Sequence, residues 1–186
     1  MSERPPLHRP PRLRSRSIAR YPLLELVEHD IADATGVERT VLTVELWDWC
    51  VAVARDVDGR WVLVEQHRHG VDAVTLEPAG GIIDRGEDPG AAAMRELEEE
   101  TGYRGERAVP LGFVHPNPAL SSNRSFAFLV DRVVKVREPD QAPDEETHVV
   151  LLDDAALDEA LEGGRITHAL AVVALMRAKQ RLARGR

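Results

Sequence analysis

Along this chain the spacing of apolar residues changes from strand-like to helical and back. Apolar residues recur in short β-type runs at Leu23–His29, Glu38–Leu46, Trp49–Asp56 and Trp61–His67, which predict four strands. Asp58-Gly59 between the last two is a hairpin turn signal. A short strand is expected over Val74–Leu76. The pattern then turns helical. Pro89 suits a first helical turn, residues 91–101 are strong helix formers without a breaker, and Gly102 sits where a left-handed cap belongs. Strand character returns at Ala108–His115, Ser125–Val130 and Thr147–Leu152. Two helices close the chain. One starts from a cap at Asp153 or Asp154 and stops before Gly163-Gly164; the other runs from a Thr167 cap to about Leu182, with basic residues at its end. Strands on both sides of one helix, followed by further helices, predict an α/β fold. Its mixed sheet is sandwiched by helices, with antiparallel strands at the N-terminal end.

Composition narrows the class. The chain has 186 residues, enough for one domain with a proper core, here residues 21–186. Hydrophobic residues make up 43% and charged residues 30%, the balance of a soluble globular body, and no apolar run reaches membrane-spanning length. A net charge of −8 argues against a nucleic-acid partner. The single cysteine, Cys50, rules out an internal disulfide and makes a reducing cytoplasm the expected location. Its apolar neighbours suit a buried, inert thiol. Residues 1–20 stand apart, with six Arg, one Glu and four Pro, and read as a disordered basic arm. They lack the apolar stretch of a secretory signal.

The chemistry concentrates between Gly81 and Tyr103. At about 100° per residue, Glu96, Glu99 and Glu100 share one arc of the helix beside an apolar stripe of Ala93, Met94 and Leu97, while Glu98 points elsewhere. A run of Glu on a helix is ordinarily a solvated face. Three carboxylates on one edge also repel one another unless a cation joins them, and hard oxygen ligands suit Mg²⁺, with Mn²⁺ as the alternative. The whole stretch resembles the Nudix hydrolase signature, G-x5-E-x7-R-E-U-x-E-E-x-G-U with U a bulky apolar residue. The matching positions are Gly81, Glu87, Arg95, Glu96, Leu97, Glu99, Glu100, Gly102 and Tyr103. Its seven strict letters would match by chance on the order of 10⁻⁸ per starting point. The resemblance implies a Nudix α/β/α sandwich in which this box forms a loop, a helix and a loop. It also implies a metal-dependent hydrolase that splits the pyrophosphate of a nucleoside diphosphate linked to another group. By motif position Glu96 and Glu100 are the implied metal ligands. Glu99 follows as ligand or catalytic carboxylate, the Gly80 carbonyl joins them, and Glu87 with Arg95 forms a supporting ion pair.

The flanks bear on the substrate. Leu76-Glu77-Pro78-Ala79-Gly80-Gly81 resembles the lead-in of ADP-ribose pyrophosphatases and nucleotide-sugar hydrolases, and Val64-Glu65-Gln66-His67-Arg68 resembles their Q-Y-R strand end with His67 in place of the aromatic. The resemblance implies that Arg68 contacts substrate phosphates, with Glu77 beside it; an exposed loop arginine is the plain alternative. The segment from His115 to Arg124, which includes Asn117, resembles the specificity loop of a nucleotide-sugar subgroup, although a rigid Pro-rich turn also explains it. A general base is implied on the late acidic loop, Glu146 first and Glu145 second, with His148 replacing the usual acidic strand position. Trp47 and Trp49, two apart, are expected on one side of a strand, either as core or with Trp47 stacked on a nucleobase. The resemblance further implies a homodimer built through residues 21–50. The functions expected are cleavage of ADP-ribose or a nucleotide sugar, with NADH or dinucleoside polyphosphates as alternative substrates. A non-catalytic nucleotide-binding module is the remaining alternative.

Overall fold

The computed structural model describes residues 7–140 and 146–185, and the chain divides into two units, Met1–Trp47 with Asn117–Asn123, and Asp48–Pro116 with Arg124–Arg186. In the first unit β1 (Arg12–Arg20), β2 (Leu24–Ala32) and β3 (Glu38–Leu46) form an antiparallel sheet in that order. The turn from β2 to β3 is fixed by Asp33, whose Oδ1 accepts from the backbone N–H of Thr35 at 2.9 Å and of Val37 at 3.1 Å. The expectation of a disordered arm over residues 1–20 is corrected at residues 12–20, which form strand β1. Its arginines meet acids across the strand pair, Arg14 with Asp30 at 2.7 Å, Arg16 with Glu28 at 2.8 Å and Arg20 with Glu25 at 2.7 Å. Opposite charges on facing strands support pairing, so the arginines that made the segment look unfolded help to hold it. The segment Asn117–Asn123 also joins this unit, where Leu120 O accepts from Val44 N at 2.8 Å.

The second unit is a mixed eight-stranded sheet between helices. Its path is β11 (Thr147–Leu152), β5 (Trp61–Arg68), β4 (Trp49–Asp56), β10 (Ser125–Lys135) and β8 (Tyr103–Arg104). Strand β6 (Ala73–Glu77) pairs with β5, β7 (Ala79–Ile82) with β4, and β9 (Val109–Val114) with β10. Among the described residues of this unit, the β4–β10 strand pairing alone is parallel. Alternation along β4 builds the two faces. Val51 and Val53 point into a core shared with α2 (Asp154–Glu162) and α3 (Ala169–Arg184); Cys50, Ala52 and Ala54 point into a core shared with α1 (Pro89–Thr101). Fully buried Leu97 on one side and Leu175 on the other each stabilise their layer by about 1.5–3 kcal/mol.

One departure from regular pairing matters for function. Strands β4 and β5 pair only at Ala54–Val62 and Arg55–Trp61 and then diverge. Beyond that point β4 takes β7 as its neighbour and β5 takes β6. The hairpin at their closed end forms as expected, with Gly59 at φ 82° and Asp56 Oδ1 accepting from Asp58 N and Arg60 N. Helix α3 starts later than expected: its N-cap position is His168, not Thr167. Trp47 lies beyond the end of β3 and Trp49 opens β4, so the two tryptophans do not share a strand as their spacing suggested.

Candidate active site

The acidic helix is fixed at both ends. Asp88 caps it, its side chain accepting from Gly90 N and Ala91 N at 3.0 Å, and Pro89 follows as the first helical residue. At the other end Gly102 adopts φ 73° and its N–H reaches Glu98 O at 2.9 Å. Ala92, Ala93, Leu97 and Thr101 are buried. That anchoring turns Glu96, Glu99 and Glu100 toward a cleft of about 1030 Å³ at the divergence of β4 and β5. Glu98 instead pairs with Arg104 and Arg137. Hydrogen bonding from Arg104, against a smaller effect of desolvation and with help from Arg137, draws its carboxyl down to about 2.

The glycines before the helix allow close approach. A Cβ on Gly81 would lie 2.4 Å from the Glu96 carboxyl carbon, and one on Gly80 would lie 2.4 Å from Cys50 O. Glu96 therefore rests directly against the β7 backbone, and the Gly80 N–H donates to Glu100 Oε2 at 3.1 Å. Arg95 ties the set together. Its Nε and Nη2 each donate to Glu87 at 3.0 Å, and Nη2 also donates to Ile82 O at 3.2 Å. Its Nη1 donates to Glu96 Oε1 at 2.8 Å and to Glu99 Oε2 at 3.0 Å. Five donors thus meet five acceptors. The Glu87 bonds, ahead of the other carboxylates, raise the Arg95 guanidinium above its ordinary range, and the same contact lowers the Glu87 carboxyl.

Across the cleft stand the end of β5 and the start of β11. Arg68, His67, Trp49, Glu146 and His148 line it. Arg68 forks onto Glu77, Nε to Oε1 at 3.0 Å and Nη2 to Oε2 at 2.9 Å, and its guanidinium carbon lies 5.8 Å from the Trp49 ring centroid. Glu77 is 2% exposed. Thr75 Oγ1 donates to its Oε1 at 2.5 Å and His168 Nδ1 bonds its Oε2. Burial pushes the Glu77 carboxyl up, but the bonds from His168, Arg68 and Thr75 overcome it and bring it down to about 2. Glu146 is exposed, with Oε1 3.3 Å from His148 Nε2.

The structure brings together Gly80, Glu96, Glu99, Glu100, Arg68 and Glu146 around this cleft, with Glu77 behind Arg68. Trp47 and Asn117 belong to the N-terminal unit. Glu145 lies outside the described residues. Sequence reasoning missed His168, which is 91 positions from Glu77 and carries no motif. It also ranked Trp47 ahead of Trp49, which lines the cleft. Among the described residues no three His, Cys, Asp or Glu side chains converge tightly enough to chelate a metal as they stand. In this conformation Arg95 is the cation that Glu96 and Glu99 share. The donor chemistry fits a hard divalent ion: three carboxylates line the cleft together with Gly80 and Gly81.

A family model described as NUDIX domain matches residues 48–170. The chain is 32% identical over 142 residues to the CMP-5'-(N-acetyl-N-hydroxy-3-aminopropyl)phosphonate hydrolase of Streptomyces rubellomurinus, a match covering 76% of this chain and 62% of that one. It is 29% identical over 105 residues to the ADP-ribose pyrophosphatase of Bacillus subtilis, 56% of either chain. The chain thus spans less than two thirds of the length of these relatives. Among solved structures, one titled as an ADP compounds hydrolase superposes with a TM-score of 0.86 at 24% identity, covering 98% of each chain, a likeness of fold.

Proposed function

The chain belongs to the NUDIX family, and from that premise we propose that it is a metal-dependent hydrolase of a nucleoside diphosphate linked to another group, ADP-ribose or a nucleotide sugar first. The observation that carries this reading is the facing of Glu96, Glu99 and Glu100 by Arg68 across one cleft. Glu96, Glu99, Glu100 and the Gly80 carbonyl would hold Mg²⁺ or Mn²⁺, which would supply masking of phosphate charge and a more acidic water.

The chain's own residues do the rest. Arg68 binds non-bridging phosphate oxygens and sets the diphosphate along the cleft. Arg95 and Glu87 keep the acidic helix edge in place. Glu146 takes a proton from the attacking water, whose oxygen bonds to one phosphorus as the bridging oxygen leaves with the other phosphoryl group. The products are a nucleoside monophosphate and a sugar phosphate. Trp47 and Asn117 are assigned to the nucleobase and the distal group, and residues 21–50 to a homodimer interface. The buried lone thiol of Cys50 suits a reducing cytoplasm.

The Streptomyces relative, named for a CMP-linked phosphonate, supports testing pyrimidine nucleotides as well. Purified protein with Mg²⁺ or Mn²⁺ is offered ADP-ribose, nucleotide sugars, CMP-linked compounds, NADH and a dinucleoside polyphosphate. Release of a nucleoside monophosphate from at least one is expected. Glu146→Gln should lose that turnover while still binding metal. No hydrolysis of any compound would make the protein a binding module, and wild-type turnover in Glu146→Gln would remove that residue as the base.

A further inference from the structure

The Arg68–Glu77 pair is held by a third group from a distant part of the chain. Glu77 is buried at the end of β6, and each of its oxygens accepts two hydrogen bonds. Arg68 comes from β5, Thr75 from β6 itself and His168 from the start of α3. His168 occupies the N-cap position of α3, yet its side chain makes no cap bond to that helix. Its imidazole is turned to the carboxylate instead. A residue at a cap position that does not cap is placed there for another partner.

Arg68 spends one edge of its fork on Glu77. Among the described residues no other acceptor holds it, so the Nη1 edge is left for the cleft that Arg68 lines. The division depends on His168. A buried carboxylate takes as many donors as it can reach. With His168 present, Oε2 is shared and Arg68 need give it only one N–H. Without His168, Oε2 draws the guanidinium farther onto itself and away from the diphosphate.

We propose that His168 is a positioning residue which, through Glu77, holds the Arg68 guanidinium at the depth where it can bind substrate phosphate, making α3 part of the binding site. This rests on the reading of Arg68 as a phosphate contact. Removing an interaction equal in ground and transition states raises KM and leaves kcat alone. His168→Ala should therefore raise KM for the diphosphate substrate about tenfold, with kcat within about threefold, since one charge-assisted hydrogen bond is at stake. His168→Asn, whose side-chain amide can stand in for Nδ1–H, should recover most of the loss.

The test compares His168→Ala, His168→Asn, Arg68→Ala and the double variant Arg68→Ala/His168→Ala by steady-state kinetics, with thermal melts as the check on folding. If His168 acts through Arg68, the double variant has the KM of Arg68→Ala alone. A full His168→Ala effect on top of Arg68→Ala would overturn the proposal, as would a fall in kcat at constant KM, or failure of His168→Asn to restore KM at an unchanged melting temperature. An unchanged KM in Arg68→Ala removes the Arg68 reading and this inference with it. An unchanged KM in His168→Ala while Arg68→Ala is impaired removes this inference alone.

Discussion

Gly81 and Glu77 show how single positions in this site are constrained from opposite directions, one by space and one by charge. Any side chain on Gly81 must displace the Glu96 carboxylate, since its Cβ would sit 2.4 Å from that group. Gly81→Ala should lower turnover by roughly 100-fold while leaving the melting temperature close to wild type, because Glu96 is not core. Parallel kinetics and melts check both halves. Glu77 matters through its proton. Its carboxyl is near 2 in the folded chain against an ordinary 4.5, so its contribution to stability is complete above pH 4.5 and is lost as the pH falls toward 2. Denaturant midpoints measured from pH 5 to pH 2 should fall through that window, and Glu77→Gln, already less stable at pH 5, should fall less steeply. Cys50, buried and pushed up to about 12 by that burial, takes no part in this chemistry.

Helix α1 was legible as an element because its determinants are local. Pro89, the 91–101 helix formers and Gly102 lie in one continuous stretch, and each does in the structure what its side chain or lack of one suggested; Asp88 adds the N-cap. Gly102→Ala tests the sharpest of these. It would place a Cβ 2.0 Å from Arg137 O on a residue at φ 73°, and should cost about 2 kcal/mol or more in chemical denaturation. Asp88→Ala should cost about 1 kcal/mol. Strands β1 and β7 were not legible, for different reasons. Strand β1 reads as a basic arm until Asp30, Glu28 and Glu25 are placed opposite its arginines, and that pairing information lies elsewhere in the chain. Strand β7, Ala-Gly-Gly-Ile, has only Ile82 as a strand-forming side chain. It is a strand because its bare backbone is what fits against Cys50 and Val51 of β4.

At the scale of the whole molecule, the carboxylates of the site could be read from one motif, whereas the groups that position Arg68 could not. His168 and Glu77 are joined only when the last helix folds back to β6, and no spacing rule encodes that. The proposed homodimer belongs to this scale too. Leu42 and Val41 on β3 are exposed apolar residues on a strand assigned to the interface. Sedimentation should give twice the 20.7 kDa chain mass, and Leu42→Glu should shift it toward one copy; a wild-type monomer would end the assignment. Arg95 has a wider consequence. With all five of its donors satisfied by Glu87, Glu96, Glu99 and Ile82 O, it acts as a permanent internal counter-ion for the acidic edge. The fold then does not depend on a captured ion to quiet its own repulsion. Chelation should act as an off-switch rather than a denaturant: EDTA abolishes turnover, the melting curve stays where it was, and added Mg²⁺ restores activity without a refolding step.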